Sequence, residues 1–383
     1  DNAMLTAGVN ISAVAVNADT DAILMATTGH IQGSSVLAGD DAELTAGNEI
    51  DATDVTALDF IGATAGTYIV ASSFTAEEGS LDIEATAGNI VDTTLVLKDG
   101  NDSHDDLVNI VAGSELDAVW VDARSDIDAT ADYIVDGMYL SETGNIQLFA
   151  TDGSIVAADV VAKVGNILMS SVQYIIDADI TAAGTVDLLA DLDITTTSVT
   201  AGGDVTIGAA GDGINSLLGS TIVTAGNADI YADRDVVNSD VDADGYVNIG
   251  FADARVDNVR GTSVDADGQL QVWASEEIET SQFTSASALD LVLSALGSIS
   301  TSNVDAEAAT ANLDAGGDVD AVTVRALDVD VDATDSILNG TITALGATSS
   351  ADLTAGHVIS GMTVSSANTA NLDAAGVFST SVD

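Results

Sequence analysis

The fold of this chain is decided by the stretch Leu44-Thr45-Ala46-Gly47-Asn48-Glu49-Ile50-Asp51-Ala52-Thr53-Asp54-Val55-Thr56-Ala57. Three short runs in it, led by Leu44, Ile50 and Val55, alternate apolar residues with polar or small ones, which is typical of strands with one buried face. Residues that favour turns, such as Gly, Asn and Asp, separate the runs. The stretch therefore predicts three short strands and three corners in each unit of about twenty residues.

The apolar position of Ile50 recurs along the whole chain at intervals of about 20 residues. Units of this length cannot bury their apolar face alone, so they indicate a stacked solenoid. The sequence predicts an all-β fold, a single-stranded parallel β-helix of about nineteen turns with three short strands per turn. The expected equivalents of Ile50 are Ile11, Ile31, Ile69, Ile90, Leu116, Ile134, Ile155, Ile175, Ile194, Ile214, Val236, Val256, Ile278, Ile299, Val319, Ile337, Val358 and Phe378.

Because the repeat is never interrupted, we expect one continuous β-solenoid over residues 1–383 without an internal linker. The longest interval predicts a corner insertion at residues 98–107. Proline is absent, as expected where almost every backbone N–H must donate to a neighbouring turn. Cysteine is also absent, which excludes disulfides and thiolate metal sites.

The chain is strongly acidic, with 62 Asp and Glu residues, 7 Lys and Arg residues and a formal net charge of −55. Turns stacked about 4.8 Å apart would form a rod about 90 Å long, with one net charge about every 1.6 Å, close to the density of duplex DNA. Such a rod attracts multivalent counterions and repels nucleic acid and anionic lipid surfaces. We therefore expect no nucleic-acid partner and no membrane insertion.

Most acidic residues are Asp, which either suits solvated turns or forms carboxylate ladders for a hard cation such as calcium. The strongest candidate reproduces the first half of an EF-hand loop, with acids at positions one, three and five, and repeats one turn later. The bidentate Glu that closes such a loop is missing. The expected calcium ligands, shared between turns, are Asp240, Asp242, Asp244, Asp265 and Asp267.

A second calcium candidate lies in the insertion, where oxygen donors alternate with the spacing of a calcium loop. A flexible solvated loop is the competing interpretation. A third candidate is 328–332, where three alternating Asp residues share one outward face that is otherwise a plain exposed strand face. The expected ligands in the insertion are Asp99, Asn101, Ser103 and Asp105.

Catalysis finds little support in the sequence. The chain has few long loops, whereas sugar-cleaving β-helix enzymes build their clefts from long loops that carry acids and bases. His30 and His357 occupy the same turn position after a Gly, which favours a role in the turn. A Gly-rich phosphate-binding motif with Lys is absent. We expect the protein not to be an enzyme.

The segments 44–50, 199–205 and 353–359, with their shared Leu- or Val-led Thr-Ala-Gly run, resemble the repeats of filamentous-haemagglutinin-type exoproteins. The resemblance covers essentially the whole chain. It implies a right-handed parallel β-helix in a bacterial secreted or surface protein that serves adhesion, toxin delivery or fibre building. It therefore also implies an extracellular or cell-surface location.

Neither end of the sequence carries a polar capping repeat, which solenoids need in order to be soluble as monomers. We therefore expect the ends to pack against other turns, either of a second copy or of a longer rod. The leading hypothesis is a structural subunit of an extracellular filament that assembles from copies of itself end to end. Bound divalent cations would stabilise it and bridge neighbouring filaments laterally. The alternative is the stalk of a large adhesin whose binding tip lies outside this chain.

Overall fold

The computed structural model describes residues 1–98, 106–209 and 213–383. Within these ranges every regular element is a strand, so no helix is present that could cross a membrane. The strands pair in parallel and stack as a β-solenoid of about 18 turns, which confirms the predicted parallel β-helix. The chain forms two compact units, Asp1–Val186 and Asp187–Asp383. The expectation of one continuous solenoid stays a prediction.

The strands that begin in the first unit are β1 (Ala3–Ala7), β2 (Ile11–Ser12), β3 (Ala15–Ala18), β4 (Ala22–Ala26), β5 (Ile31–Gln32), β6 (Ser35–Ala38), β7 (Ala42–Ala46), β8 (Glu49–Asp51), β9 (Asp54–Ala57), β10 (Ile61–Ala65), β11 (Tyr68–Val70), β12 (Ser73–Ala76), β13 (Leu81–Ala85), β14 (Ile90–Val91), β15 (Thr94–Leu97), β16 (Leu107–Ala112), β17 (Glu115–Asp117), β18 (Trp120–Ala123), β19 (Asp126–Ala131), β20 (Tyr133–Val135), β21 (Met138–Ser141), β22 (Ile146–Ala150), β23 (Ile155–Val156), β24 (Asp159–Ala162), β25 (Ile167–Ser171), β26 (Ile175–Ile176), β27 (Asp179–Ala182) and β28 (Val186–Ala190).

Those of the second unit are β29 (Ile194–Thr195), β30 (Ser198–Ala201), β31 (Val205–Ile207), β32 (Ile214–Leu218), β33 (Thr221–Thr224), β34 (Ala228–Ile230), β35 (Ala232–Val237), β36 (Asp240–Ala243), β37 (Val247–Ile249), β38 (Val256–Arg260), β39 (Ser263–Ala266), β40 (Leu270–Glu279), β41 (Gln282–Ser285), β42 (Leu291–Ala295), β43 (Ile299–Ser300), β44 (Asn303–Ala315), β45 (Val319–Asp320), β46 (Thr323–Ala333), β47 (Ser336–Leu338), β48 (Thr341–Ala344), β49 (Ser350–Ala355), β50 (Val358–Ser360), β51 (Thr363–Ser366), β52 (Thr369–Asp373), β53 (Gly376–Phe378) and β54 (Ser381–Val382).

In the first unit each strand pairs in parallel with the third strand after it, so residues one turn apart form columns. Ile11 lies opposite Ile31, and Ile31 lies opposite Ile50. The column continues through every predicted position as far as Ile175, and all of these side chains are buried. Ile50 and its eight predicted equivalents in this unit, from Ile11 to Ile175, are therefore confirmed. These residues are called the anchor positions below.

In the second unit the register corrects four predicted anchor positions. Ile194 lies opposite Leu217, because β32 shifts register between Ile214 and Ser216 and Ile214 pairs with Ala232 instead. Both Ile214 and Leu217 are buried, so apolar spacing could not choose between them. The positions that take the place of the predicted Ile214, Val256, Val358 and Phe378 are Leu217, Val259, Ile359 and Val377.

Each turn of the first unit contains a left-handed corner two residues after the anchor. The φ angles there lie between 47° and 56°, a region that costs a residue with a Cβ atom about 1–2 kcal/mol. The corner recurs because the chain must change direction sharply between the second and third strand of every turn. The corner residues are Ala13, Gly33, Ala52, Ala71, Asp92, Ala118, Asp136, Ala157 and Asp177.

A buried hydroxyl follows this corner in several turns. Thr53 and Ser72 are 0% and 3% exposed, although both are polar. The Thr53 hydroxyl donates to the carbonyl of Asp51 (3.0 Å), and the Thr53 N–H donates to Oγ of Ser72 (3.2 Å). The buried hydroxyls that follow the corners form a column, called the hydroxyl column below. They give hydrogen-bond partners to backbone N–H and carbonyl groups beside the left-handed corners.

Candidate cation-binding sites

The first half of the predicted calcium site lies on a strand. Asp240 and Asp242 are exposed residues of β36, while Val241 and Ala243 between and after them are buried. Alternate residues of a strand stand about 7 Å apart on one face, so these two carboxylates project outward side by side. An EF-hand loop instead wraps its ligands around one ion. The geometry is therefore that of a carboxylate face rather than of a loop.

Strand pairing brings carboxylates of consecutive turns together on this face. Asp242 of β36 lies opposite Asp265 of β39, and neighbouring strands are about 4.8 Å apart. Asp267 stands one turn above Asp244, since its N–H donates to the carbonyl of Ala243 (2.9 Å). The predicted stacking of the two acidic segments is thus present, while Asp240 lies opposite Ser263.

The electrostatics of Asp265 reflect this crowding. Partial burial and then the nearby charges of Asp242, Asp267 and Asp240 raise the pKa of the Asp265 carboxyl above its usual value. A divalent cation placed between like charges removes their repulsion, and carboxylate oxygens are the ligands that calcium prefers. Among the described residues, however, no three of the predicted ligands bring carboxylate oxygens within 4.8 Å of one another, so the structure shows a facing pair of carboxylates rather than a closed site.

The predicted ligands Asp99, Asn101, Ser103 and Asp105 lie outside the described residues, as does most of the insertion at 98–107. The third candidate, at 328–332, is part of β46, where Asp330 and Asp332 are exposed. Asp330 lies opposite Asp352. Partial burial and the charges of Asp332 and Asp352 raise the pKa of the Asp330 carboxyl.

Sequence analysis missed a cluster at a corner of the first unit. Asp40 and Asp41 lie between β6 and β7, and Asp59 lies one turn later, where its N–H donates to the Asp40 carbonyl (3.2 Å). One carboxylate oxygen from each residue lies within 4.8 Å of the other two. Repulsion by Asp41, then burial and the charges of Asp21 and Asp59, raise the pKa of Asp40. Only the stacking of turns, 19 residues apart, brings the third carboxylate to the pair.

Elsewhere an Asn relieves the same crowding without an ion. Asn109 donates from Nδ2 to Oδ1 of Asp82 one turn away (2.9 Å), and Asn248 does the same to Asp229 (2.8 Å). These pairs occupy adjacent strands as Asp242 and Asp265 do. The columns therefore contain both hydrogen-bonded Asp–Asn pairs and Asp–Asp pairs, in which both partners are acceptors once ionised.

Comparisons with known proteins give no relative. No protein-family model matches the chain, and neither the curated proteins nor the solved structures contain a match. The resemblance to filamentous-haemagglutinin-type repeats therefore rests on the repeats themselves. What the structure establishes is a repeat protein with a parallel β-helix fold.

Proposed function

We propose that this chain is a non-enzymatic, structural β-solenoid of an extracellular filament, in which the terminal turns pack against further turns. Those turns belong either to another copy of the chain or to a longer polypeptide. Divalent cations, with calcium as the first candidate, hold the stacked carboxylates of the outer faces. The protein then acts mechanically, through the hydrogen bonds and apolar columns that connect consecutive turns.

The observation that supports this proposal is that each turn packs on the next through the same apolar columns. Val364 is 0% exposed and lies opposite Ile342 of the turn before and Val382 of the turn after. In a second column Ile359 is also buried and lies opposite Ile337 and Val377. Parallel strands that expose an edge are a template for a further strand. Burial of the apolar columns by a further turn gives stacking an apolar driving force.

Electron microscopy of the purified chain, with and without millimolar calcium at constant ionic strength, tests the proposal. We expect fibres many times longer than the rod of about 90 Å estimated for one chain, and we expect them to fray when calcium is chelated. A Val377→Lys/Val382→Lys variant should give single rods, because a charge would have to be buried at each junction. A Leu37→Lys variant, which places the same charge on an exposed outer face, is the matched control.

The outcomes separate the rival functions. Single rods from the unaltered chain, unchanged by calcium, would contradict the filament and favour the adhesin stalk. Fibres that persist in chelator would retain end-to-end packing and remove the cation from the proposal. A response to monovalent salt alone would indicate general screening of the net charge rather than specific cation binding.

A further inference from the structure

The outer side of the anchor strands carries an apolar column in the first unit. Val135 of β20 lies opposite Val156 of β23, which lies opposite Ile176 of β26. Each of these side chains is half-buried on the outer face, while the anchor residue before it is buried in the core. Asp117 of β17 lies in the same column and interrupts it once. The outer apolar column consists of Val70, Val91, Val135, Val156 and Ile176.

Different residues border this column on its two sides. On one side three of the six tyrosines of the chain stand two residues before a column residue, and Tyr68 and Tyr133 are 45% and 40% exposed. On the other side the left-handed corner that directly follows the column is an exposed Asp in every second turn. The tyrosine edge consists of Tyr68, Tyr133 and Tyr174, and the acidic edge consists of Asp92, Asp136 and Asp177.

The charges on this face are all negative. The anchor strands β11, β14, β17, β20, β23 and β26, with the corners that follow them, hold five carboxylates and no Lys or Arg. An apolar centre with a charged border is the usual anatomy of a contact surface, and a carboxylate border selects a cationic partner. Anionic polymers are repelled by such a border. A second copy of the chain would bring no cation to it, since the face contains none.

The spacing of the column fits an α-helix that lies along it. Consecutive turns of the solenoid are about 4.8 Å apart and those of an α-helix about 5.4 Å, so the two repeats drift by only about 0.6 Å per turn. Carboxylates of the acidic edge recur every second turn, about 10 Å apart, and seven helical residues rise about 10.5 Å. From Val70 to Ile176 the column spans about 24 Å, the length of about 16 helical residues.

We propose that this face binds a basic amphipathic α-helix of a partner protein. The apolar side chains of the helix, one or two in each of its turns, pack against the outer apolar column, and the tyrosine rings border them on one side. Lys or Arg residues seven positions apart on the helix meet Asp92, Asp136 and Asp177. A further cation meets Asp117, where the column is interrupted.

Binding of a synthetic helix to the full chain tests this proposal. The probe is a Leu–Lys peptide of about 18 residues with an apolar stripe along one side, and the control peptide has the same composition in an order that gives no stripe. Calorimetric titration in about 0.15 M salt with chelator should give a Kd at least tenfold lower for the probe than for the control peptide. Equal binding of the two peptides would indicate general attraction to the net charge and would overturn the proposal.

Apolar variants of the chain locate the contact. Val156→Thr/Ile176→Thr keeps the β-branched shape, which Thr195 has at the corresponding position of β29. Two apolar groups are lost from the contact, so we expect the Kd of the probe to rise about tenfold. Leu37→Thr is the matched control, since Leu37 is 49% exposed on the outer face of β6, away from the column. Equal effects of the two variants contradict the assignment of the face.

Charge variants separate the acidic edge from the rest of the acidic surface. Asp136→Asn/Asp177→Asn should raise the Kd of the probe at least fivefold, and Asn is accepted at this left-handed corner in the turn of Asn238. Asp240→Asn/Asp242→Asn removes the same charge elsewhere and should change the Kd less than twofold. Equal losses in the two double variants would mean that net charge alone attracts the probe, which overturns the proposal.

A cysteine label gives a readout on the folded chain with the face itself unchanged. The chain has no cysteine, so Ala157→Cys with an environment-sensitive fluorophore reports from the corner beside Val156, and Leu37→Cys is the control. The probe should shift the emission of the first label to shorter wavelength and leave that of the second unchanged. Equal shifts overturn the proposal, as does a shift caused by a neutral oligosaccharide and not by the probe. Filament growth is followed by microscopy and enters neither result.

Discussion

The ring of Tyr139 fills the space in which a side chain at Gly137 would stand. A Cβ atom at position 137 would lie 2.4 Å from Cε2 of Tyr139 and 2.8 Å from its hydroxyl oxygen. Gly137 directly follows the left-handed corner at Asp136, the position that Thr53 and Ser72 take in other turns. The Tyr139 hydroxyl thus approaches the place where those turns carry a buried hydroxyl, yet it has no hydrogen-bond partner among the residues that the structure describes.

Replacing Tyr139 with Phe is expected to stabilise the fold by about 1 kcal/mol, because it removes a buried hydroxyl that pays its desolvation without a hydrogen bond. Phe74 already occupies this column three turns earlier and is fully buried, so the ring itself fits. Equilibrium denaturation in urea measures the change. Gly137→Ala should cost about 1–3 kcal/mol through overpacking. A Tyr139→Phe variant less stable than the parent would show that the hydroxyl has a partner.

Replacing an alanine at a left-handed corner with glycine should increase the stability of the fold. Ala71 is exposed and has a φ of 49°, so Ala71→Gly relieves strain of about 1–2 kcal/mol and loses about 0.4–1 kcal/mol to the entropy of the unfolded chain. We expect a net stabilisation of about 0.5–1 kcal/mol.

The control is the reverse substitution, Gly33→Ala, at an equivalent corner. There φ is 56°, and a Cβ atom would meet no atom within 4 Å. It should destabilise by a similar amount, since conformation alone changes. Urea denaturation of both variants checks the pair, and two changes of the same sign would contradict the corner argument.

The buried hydroxyl column should be sensitive to single deletions. Ser72→Ala removes the acceptor of the Thr53 N–H and the donor to the carbonyl of Val70, leaving both backbone groups buried without these bonds. We expect a loss of about 1–3 kcal/mol in thermal or urea unfolding. Ser73→Ala, one residue along and half-buried on the outer face, should change stability by less than about 0.5 kcal/mol. Equal losses at 72 and 73 would argue against the column.

Lowering the pH from 7 toward about 4 should stabilise this protein, whereas most proteins begin to lose stability as the pH falls in this direction. Partial burial and neighbouring carboxylates raise the pKa values of Asp265 and Asp330 above 3.8, and repulsion by Asp41 does the same for Asp40. The native state then binds more protons than the unfolded state, so stability falls as pH rises through the folded pKa values. The melting temperature at constant ionic strength should rise as pH is lowered from 7 toward about 4. A steady fall over this range would contradict the assignment.

Calcium dependence should follow the stacked Asp pairs. Asp265→Asn leaves Asp242 opposite an amide, as Asp82 lies opposite Asn109. In chelator we expect a gain of about 0.2–1 kcal/mol, because like charges directly opposite each other are destabilising. The rise in melting temperature on adding calcium should shrink at the same time.

The reciprocal variant is Asn109→Asp, which creates a new Asp–Asp pair with Asp82. It should lose stability in chelator and gain a calcium response, both followed by calorimetry with and without calcium. A calcium response that neither variant alters would place the cation elsewhere.

The sequence alone was sufficient to predict the fold class and the columns of the first unit, because each turn repeats an apolar position that only stacking can bury. It was not sufficient where two apolar residues compete within one turn. Ile214 and Leu217 are both buried, and only backbone pairing with Ile194 and Val236 determines which of them is the anchor. The acidic faces show the same limit, since spacing along the chain predicted Asp242 and Asp265 but not the cluster of Asp40, Asp41 and Asp59.

Sequence by itself therefore determined the repeat, the parallel β-helix, the acidity and the outward position of the carboxylates, since these follow from side-chain periodicity and composition. Tertiary structure decided which side chains meet between turns: Asp59 with Asp40, Val135 with Val156, and Tyr139 with Gly137. The physical reason is that contacts between turns depend on register, and backbone hydrogen bonds alone do not select a register because every residue type except proline can make them. The register is selected by the packing of apolar side chains and by the turns, and these involve several turns of the solenoid at once.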